Sequence, residues 1–205
     1  MSLKFWEMQP PTLESMYLRA DARSIDPLEK EEILALLPPF KEVLDLGAGI
    51  GRFTREFAKK GAHVTAVDAT PKFTEANRAY NRDAKNISYL TANATELNFS
   101  EQIFDLIFIN GLLMYLEDVE VTVLVHRLTS WLKPGGTLFL RESCAATPKT
   151  RRDTYVAHYR PLSFYPRILD PLLTLQSSGS IQTHIDRYAN PFQCYWIYVS
   201  TSFRS

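Results

Sequence analysis

A short apolar run, Val43-Leu44-Asp45-Leu46, passes directly into Gly47-Ala48-Gly49-Ile50-Gly51, and this junction constrains the fold more than any other stretch. Glycine alone adopts positive φ at no steric cost, so this spacing marks a tight reversal rather than a continuing strand. Residues 52–60 then repeat apolar positions at helical spacing and are closed by Gly61. The alternation continues with strands over 62–67, 87–91 and 104–109 and helices over 71–81 and 118–132. Pro134-Gly135-Gly136 predicts a sharp turn into a fifth strand, 137–141. Strands alternating with helices imply a mostly parallel α/β sheet with helices on both faces. Residues 179–188 and 192–201 are strand-like and broken at Asn190-Pro191. They predict an antiparallel C-terminal hairpin that closes one edge and brings the sheet to seven strands.

At 205 residues the chain suits a single domain over 1–205, with helical residues 1–35 as a lid and 141–170 as a substrate-binding insertion. No apolar run approaches the roughly 18 to 20 residues of a membrane span, so stable membrane insertion is not expected. The first residues lack the apolar stretch of a signal peptide, and the expected location is cytoplasmic. Cys144 and Cys194 read as reduced thiols. The four histidines make no metal-ligand spacing with cysteine or acid, and no metal is expected. The net charge of zero hides an asymmetry. Residues 1–32 carry seven acids against four bases, and residues 141–167 six bases against two acids. One basic segment in a neutral protein argues against nucleic acid as partner and for local binding of a small anion.

In an open parallel sheet, ligands bind beyond the carboxyl ends of the strands. The turn spanning 45–51 lies there, and Asp68-Ala69 end the second strand, where a carboxylate can accept both hydroxyls of a ribose. An acid at that place also suits a dinucleotide. The glycine spacing separates the two: this chain has G-x-G-x-G, not G-x-G-x-x-G, preceded by Asp45. An acid there would repel a pyrophosphate but suits the ammonium group of methionine, so the expected cofactor is S-adenosylmethionine. Asn93-Ala94 after the third strand and Asn110-Gly111 after the fourth would flank its adenine and methionine portions.

The stretch from Val43 to Thr54 resembles the first methyltransferase domain of plant and nematode phosphoethanolamine N-methyltransferases. So do Asn110 with Leu112-Leu113-Met114-Tyr115-Leu116, the Trp131 to Gly136 block, and Arg141-Glu142-Ser143-Cys144. His158-Tyr159-Arg160 followed by Phe164-Tyr165 lies outside the cofactor core and is the most distinctive part of the resemblance. It implies a Rossmann-like class I methyltransferase fold and S-adenosylmethionine as cofactor. The implied contacts are Gly47, Arg52, Asp68, Asn93, Ala94 and Asn110, beside the turn residues Asp45, Ala48, Gly49 and Gly51 and the neighbours Ala69 and Gly111. It implies a phosphobase, a small anionic amine, near Ser143, Arg151, Arg152 and Tyr159. Two departures stand out: Asn93 where the family has Asp, and Gly111 where plant enzymes carry a large aromatic.

Methyl transfer to an amine requires alignment, exclusion of water and an unprotonated nucleophile. Tyr115 is the first candidate to hydrogen-bond the amine and His158 the second; each also fits a packing role. Tyr17, Tyr159 and Tyr165 could wall the site and stabilise an ammonium by cation–π contact. Arg160 suits a phosphate, because a guanidinium donates two parallel hydrogen bonds; a surface ion pair is its alternative. Another small amine, a protein N-terminus, or cofactor binding without turnover remain open as rival functions.

Overall fold

A computed structural model describes residues 2–151 and 154–201. Three helices open the chain: α1 (Ser2–Met8), α2 (Leu13–Tyr17) and α3 (Ala22–Leu36). The α/β core follows as β1 (Glu42–Leu46), α4 (Arg52–Lys59), β2 (His63–Asp68), α5 (Pro71–Tyr80) and β3 (Ile87–Thr91). It continues through β4 (Phe104–Asn110), α6 (Asp118–Trp131) and β5 (Leu132–Ser143). The remaining elements are β6 (Lys149–Arg151), β7 (Ala157–Tyr159), α7 (Phe164–Leu169), β8 (Thr174–Ser180), α8 (Gln182–Tyr188) and β9 (Gln193–Val199).

The seven-stranded sheet has the order β3-β2-β1-β4-β5-β9-β8. Strands β1 to β5 pair in parallel, and β9 runs antiparallel to both β5 and β8. Side chains alternate across it with period two and divide the interior into two layers. Leu44, Ile107, Ile109, Leu138 and Leu140 face α6, whose Val121, Leu124, Val125, Leu128 and Trp131 are buried against them. Val43, Leu106, Phe108 and Phe139 face the other way, toward Phe53 and Phe57 of α4. There Phe108 lies 4.7 Å from Phe53 and 5.0 Å from both Phe57 and Phe139, measured between ring centres. Chain order reverses between β1 and β4, which opens the ligand crevice of such sheets at their carboxyl ends.

Two local expectations are corrected. The hairpin is present, but its first strand is Thr174–Ser180, and most of residues 179–188 form α8. The carboxylate of Glu32 on α3 accepts the Gln182 and Thr183 N–H groups and the Thr183 hydroxyl. The start of α8 is thus capped from 150 residues away in sequence, and Ala189, at φ +49°, ends it. In the 141–170 segment, Arg141 to Ser143 complete β5, while β6 and β7 pair as a small antiparallel sheet before α7. Pro134-Gly135-Gly136 lies within β5 as a bulge: Phe104 pairs with Leu132, and Leu106 with Thr137. Among the described residues, no helix is long and apolar enough to cross a membrane. Nor does any cluster of His, Cys, Asp or Glu there suit a metal. Cys144 and Cys194 are buried free thiols.

Candidate active site

A cavity of about 810 Å³ opens at the carboxyl ends of β1, β2, β4 and β5. The glycine turn forms its base. The N–H groups of Gly47 (φ +77°) and Ala48 both donate to Val67 O at 2.9 Å, which ties the turn to β2. Gly49 N–H donates to one oxygen of Asp68 at 2.9 Å, and Thr70 N–H to the other at 2.8 Å. Asp68 is therefore fixed at the cavity wall, and spare lone pairs on both oxygens leave it able to accept from a ligand. Burial raises its pKa against those two backbone bonds.

Gly47, Arg52, Asp68, Ala69, Asn93, Ala94, Asn110 and Gly111 all line this cavity. Asp45, Ala48, Gly49 and Gly51 do not. Asp45 is a correction: its carboxylate turns away and accepts the Thr54 hydroxyl at 2.5 Å. Burial, with the negative charge of Asp68 adding to it, pushes Asp45 up to about 7 despite that bond. Thr54 in turn accepts from Asn77, and Asn77 from Asn81, so a buried polar chain braces the turn from behind. Gly51 packs on that chain: a Cβ at its position would fall 2.1 Å from Asn77 Oδ1.

The opposite wall gathers aromatic and basic groups. Tyr115 lines the cavity on the one-turn helix Leu113–Tyr115 that follows β4, with Trp6 edge-on at 5.5 Å and Tyr155 at 5.9 Å. Burial, reinforced by the neighbouring Tyr155 and Tyr159, raises its phenol well above the ordinary tyrosine range, so it stays neutral. Tyr159 also lines the cavity, its hydroxyl 3.4 Å from that of Tyr155. Burial pushes it up to about 12. Ser143 faces inward and donates to Gln193 at 2.9 Å. Arg151, at the end of β6, reaches the same wall with its guanidinium 4.7 Å from the Tyr155 ring centre.

Three expected site residues lie elsewhere. Arg160 is only 4% exposed, off the cavity wall, and donates to Asp118, Leu113 O and Leu116 O. Its guanidinium is taken up by these protein partners. Tyr165 is fully buried between Phe164 and Trp196 in the core. His158 sits outside the cavity, beside Thr150 and 3.3 Å from Glu117. Arg152 lies outside the described residues. Tyr17 does line the cavity, but its hydroxyl is engaged, donating to Glu29 and accepting from Arg52.

That contact belongs to a network which sequence reading does not reveal. Glu29 of α3 is fully buried and accepts from Arg52 at 2.9 Å and Arg141 at 2.7 Å. His184 Nε2 stands 3.2 Å away. Burial alone would push Glu29 up, but Arg141 and Arg52 outweigh it and hold the carboxyl well below its usual range. Two cavity-lining arginines are thereby neutralised by the N-terminal helices, which also lay Met16 over Gly49 and Trp6 over Tyr115. Arg141, Tyr155, His184 and Gln193 join the lining as residues not assigned to the site from sequence, and Trp6, from the N-terminal segment expected to act as a lid, lines it too. The one local signal was Arg141-Glu142, two charges ending an otherwise apolar strand.

A sheet of this order, with a glycine turn after its first strand and an acid after its second, has the class I methyltransferase fold, and residues 43–136 match the methyltransferase domain family. Within that class the chain is a homologue of the phosphoethanolamine N-methyltransferases. It is 38% identical over 213 residues to Phosphoethanolamine N-methyltransferase 1 of Triticum aestivum, covering 95% of this chain and 43% of that protein. Against the Caenorhabditis elegans protein of the same name it is 33% identical over 217 residues, covering 94% and 46%. The solved Haemonchus contortus Phosphoethanolamine N-methyltransferase 1, in complex with phosphoethanolamine and S-adenosylhomocysteine, matches with a TM-score of 0.88 at 31% identity. That match covers 99% of this chain and 48% of the other. The chain thus spans less than half the length of these relatives.

Proposed function

We propose that this chain transfers a methyl group from S-adenosylmethionine to the amine of a small phosphobase such as phosphoethanolamine. One observation carries the reading: a single cavity joins the Gly47, Asp68 and Asn93 wall to the Arg151, Tyr155 and Tyr159 wall, with Tyr115 lining it as well. The residues fit the cofactor. Asp68 offers acceptors to a ribose, Ala94 and Asn93 offer an apolar and a polar edge to adenine, and glycine at 47 and 111 keeps Cβ atoms off the path between them.

When bound, S-adenosylmethionine supplies an electrophilic methyl on a sulfonium centre. The chain's own part is alignment and desolvation. Tyr115, held neutral, accepts a hydrogen bond from the amine N–H and points the nitrogen lone pair. It is not a phenolate base. Arg151, with the hydroxyls of Tyr155 and Tyr159, receives the phosphate, the role that Arg160 cannot take, and Ser143, its hydrogen given to Gln193, flanks the substrate. Trp6, Met16 and Tyr17 form a lid that excludes water, and residues 1–35 act as the closing segment of one domain. A soluble anionic amine, free of nucleic acid or membrane, fits a cytoplasmic enzyme.

The test is transfer of labelled methyl to phosphoethanolamine, its mono- and dimethyl forms, ethanolamine and N-terminal peptides. Transfer confined to the phosphorylated amines is expected. Transfer to peptides alone, or cofactor binding without any transfer, would overturn the reading.

A further inference from the structure

Glu142 and Arg160 are buried charges that the proposed chemistry leaves unused. Glu142, next to last in β5, is fully buried and absent from the cavity wall. One of its oxygens accepts Leu112 N–H at 2.9 Å and Leu113 N–H at 2.7 Å; the other accepts Met114 N–H at 3.2 Å. Arg160 approaches the same segment with opposite polarity, donating to Leu113 O at 2.7 Å and Leu116 O at 2.5 Å. Its Nε is tied to Asp118 at the start of α6. A carboxylate and a guanidinium thus take five backbone groups of residues 112–116, the short turn that carries Tyr115 into the cavity.

Stability alone does not call for this arrangement. Leu113 and Met114 are buried, so the backbone of the turn needs protein partners, but neutral groups would serve, and burying two charges is costly unless they are fully hydrogen-bonded. Charge-assisted bonds to backbone are also among the stiffer contacts a protein makes. Rigidity here is transmitted to one cavity-facing side chain.

We propose that Glu142 and Arg160 form a two-sided clamp on the turn at residues 112–116, acting as positioning residues that set where the Tyr115 hydroxyl stands. The inference rests on the reading of Tyr115 as the group that orients the amine. Glu142→Gln keeps the volume but presents an N–H₂ to one backbone donor, and Arg160→Lys keeps the charge but cannot span both carbonyls.

The experiment compares both variants and Tyr115→Phe with the unsubstituted protein by four readouts. These are amide hydrogen exchange at residues 112–114, the ¹⁹F resonance of 3-fluorotyrosine at position 115, S-adenosylhomocysteine affinity, and kcat and KM for phosphoethanolamine. In both clamp variants exchange accelerates and the resonance shifts or broadens. Cofactor affinity stays within about twofold, while kcat falls by about tenfold or more, as misplacement of an aligned group requires. Unchanged exchange and resonance overturn the clamp, as does a kcat kept near the original while Tyr115→Phe loses it. If phosphoethanolamine is not a substrate at all, the functional reading fails, but exchange and resonance still decide the clamp. If Glu142→Gln does not fold, Arg160→Lys carries the same readouts.

Discussion

The two walls of the cavity are built by different means. On the cofactor side the contacts are short-range and largely backbone: Gly47, Ala48 and Gly49 bond to Val67 and Asp68 of the next strand. On the acceptor side the groups come from distant parts of the chain: Trp6, Tyr115 and the stretch 151–159. Trp6, Tyr115, Tyr155 and Arg151 meet there through ring contacts; behind them Glu142 and Arg160 hold the turn that carries Tyr115, and Glu29 ties α3 to Arg52 and Arg141. The first wall is a property of a strand–turn–strand unit, and the second of the folded whole. Damage to the first should cost ligand affinity with the fold intact. Damage behind the second should cost stability and alignment together.

The largest effect is expected at Glu29. Replacing it with Ala strands Arg52 and Arg141 as buried charges, which costs about 3–5 kcal/mol and lowers the thermal midpoint by roughly 10 °C. Denaturant unfolding checks this, and an unchanged midpoint would remove the distinction between the walls. Next is Asp68→Asn, which should weaken S-adenosylhomocysteine binding by about 10- to 100-fold, as loss of a charged acceptor implies, with little loss of midpoint. Calorimetric titration separates the two quantities. Tyr155→Phe should be milder, raising KM for phosphoethanolamine by about three- to tenfold while cofactor affinity holds, consistent with removal of one hydrogen bond. Equal changes in both would mean that the walls do not act separately.

The last effect is in pH. Asp45 and Glu142 are both pushed up to about 7 by burial. Asp68, Arg52 and Thr54 face the first; Arg141, Tyr115, Tyr165 and Cys144 face the second. A carboxyl whose folded pKa is raised contributes stability below its unfolded value and loses it as pH rises through the folded one. The midpoint should therefore fall as pH rises from about 4, the ordinary carboxyl value, to about 7, where the two groups titrate in the fold. Asp45→Asn should flatten that slope. Glu29, held low by its arginines, works in the opposite sense and loses its contribution only in acid.

This division also explains what could be read from the sequence. The β1 turn, Asp68, Asn93 and Asn110 are visible because strand order alone puts them at one end of the sheet. Residues 179–188 misled because the cap that makes 182–188 helical is Glu32, on α3. Arg160 and Tyr165 lie in the stretch on which the resemblance rests most, yet bond the backbone and pack in the core. Asp45 reads as a ligand for an ammonium group; its partner is Thr54, in the first turn of α4. For Asp45, Arg160 and Tyr165 a charged or aromatic side chain near the site carried the signal, and only tertiary structure decides which way it points.

The central claim is that one cavity pairs a nucleoside-type cofactor with a phosphorylated amine. Its most direct test is the ratio of kcat/KM for phosphoethanolamine to that for ethanolamine, measured with the unsubstituted protein and with Arg151→Ala. A ratio above about ten that falls toward one in the variant is expected, the size of one charge-assisted contact. A ratio near one in the unsubstituted protein, or one that Arg151→Ala leaves unchanged, would contradict the account.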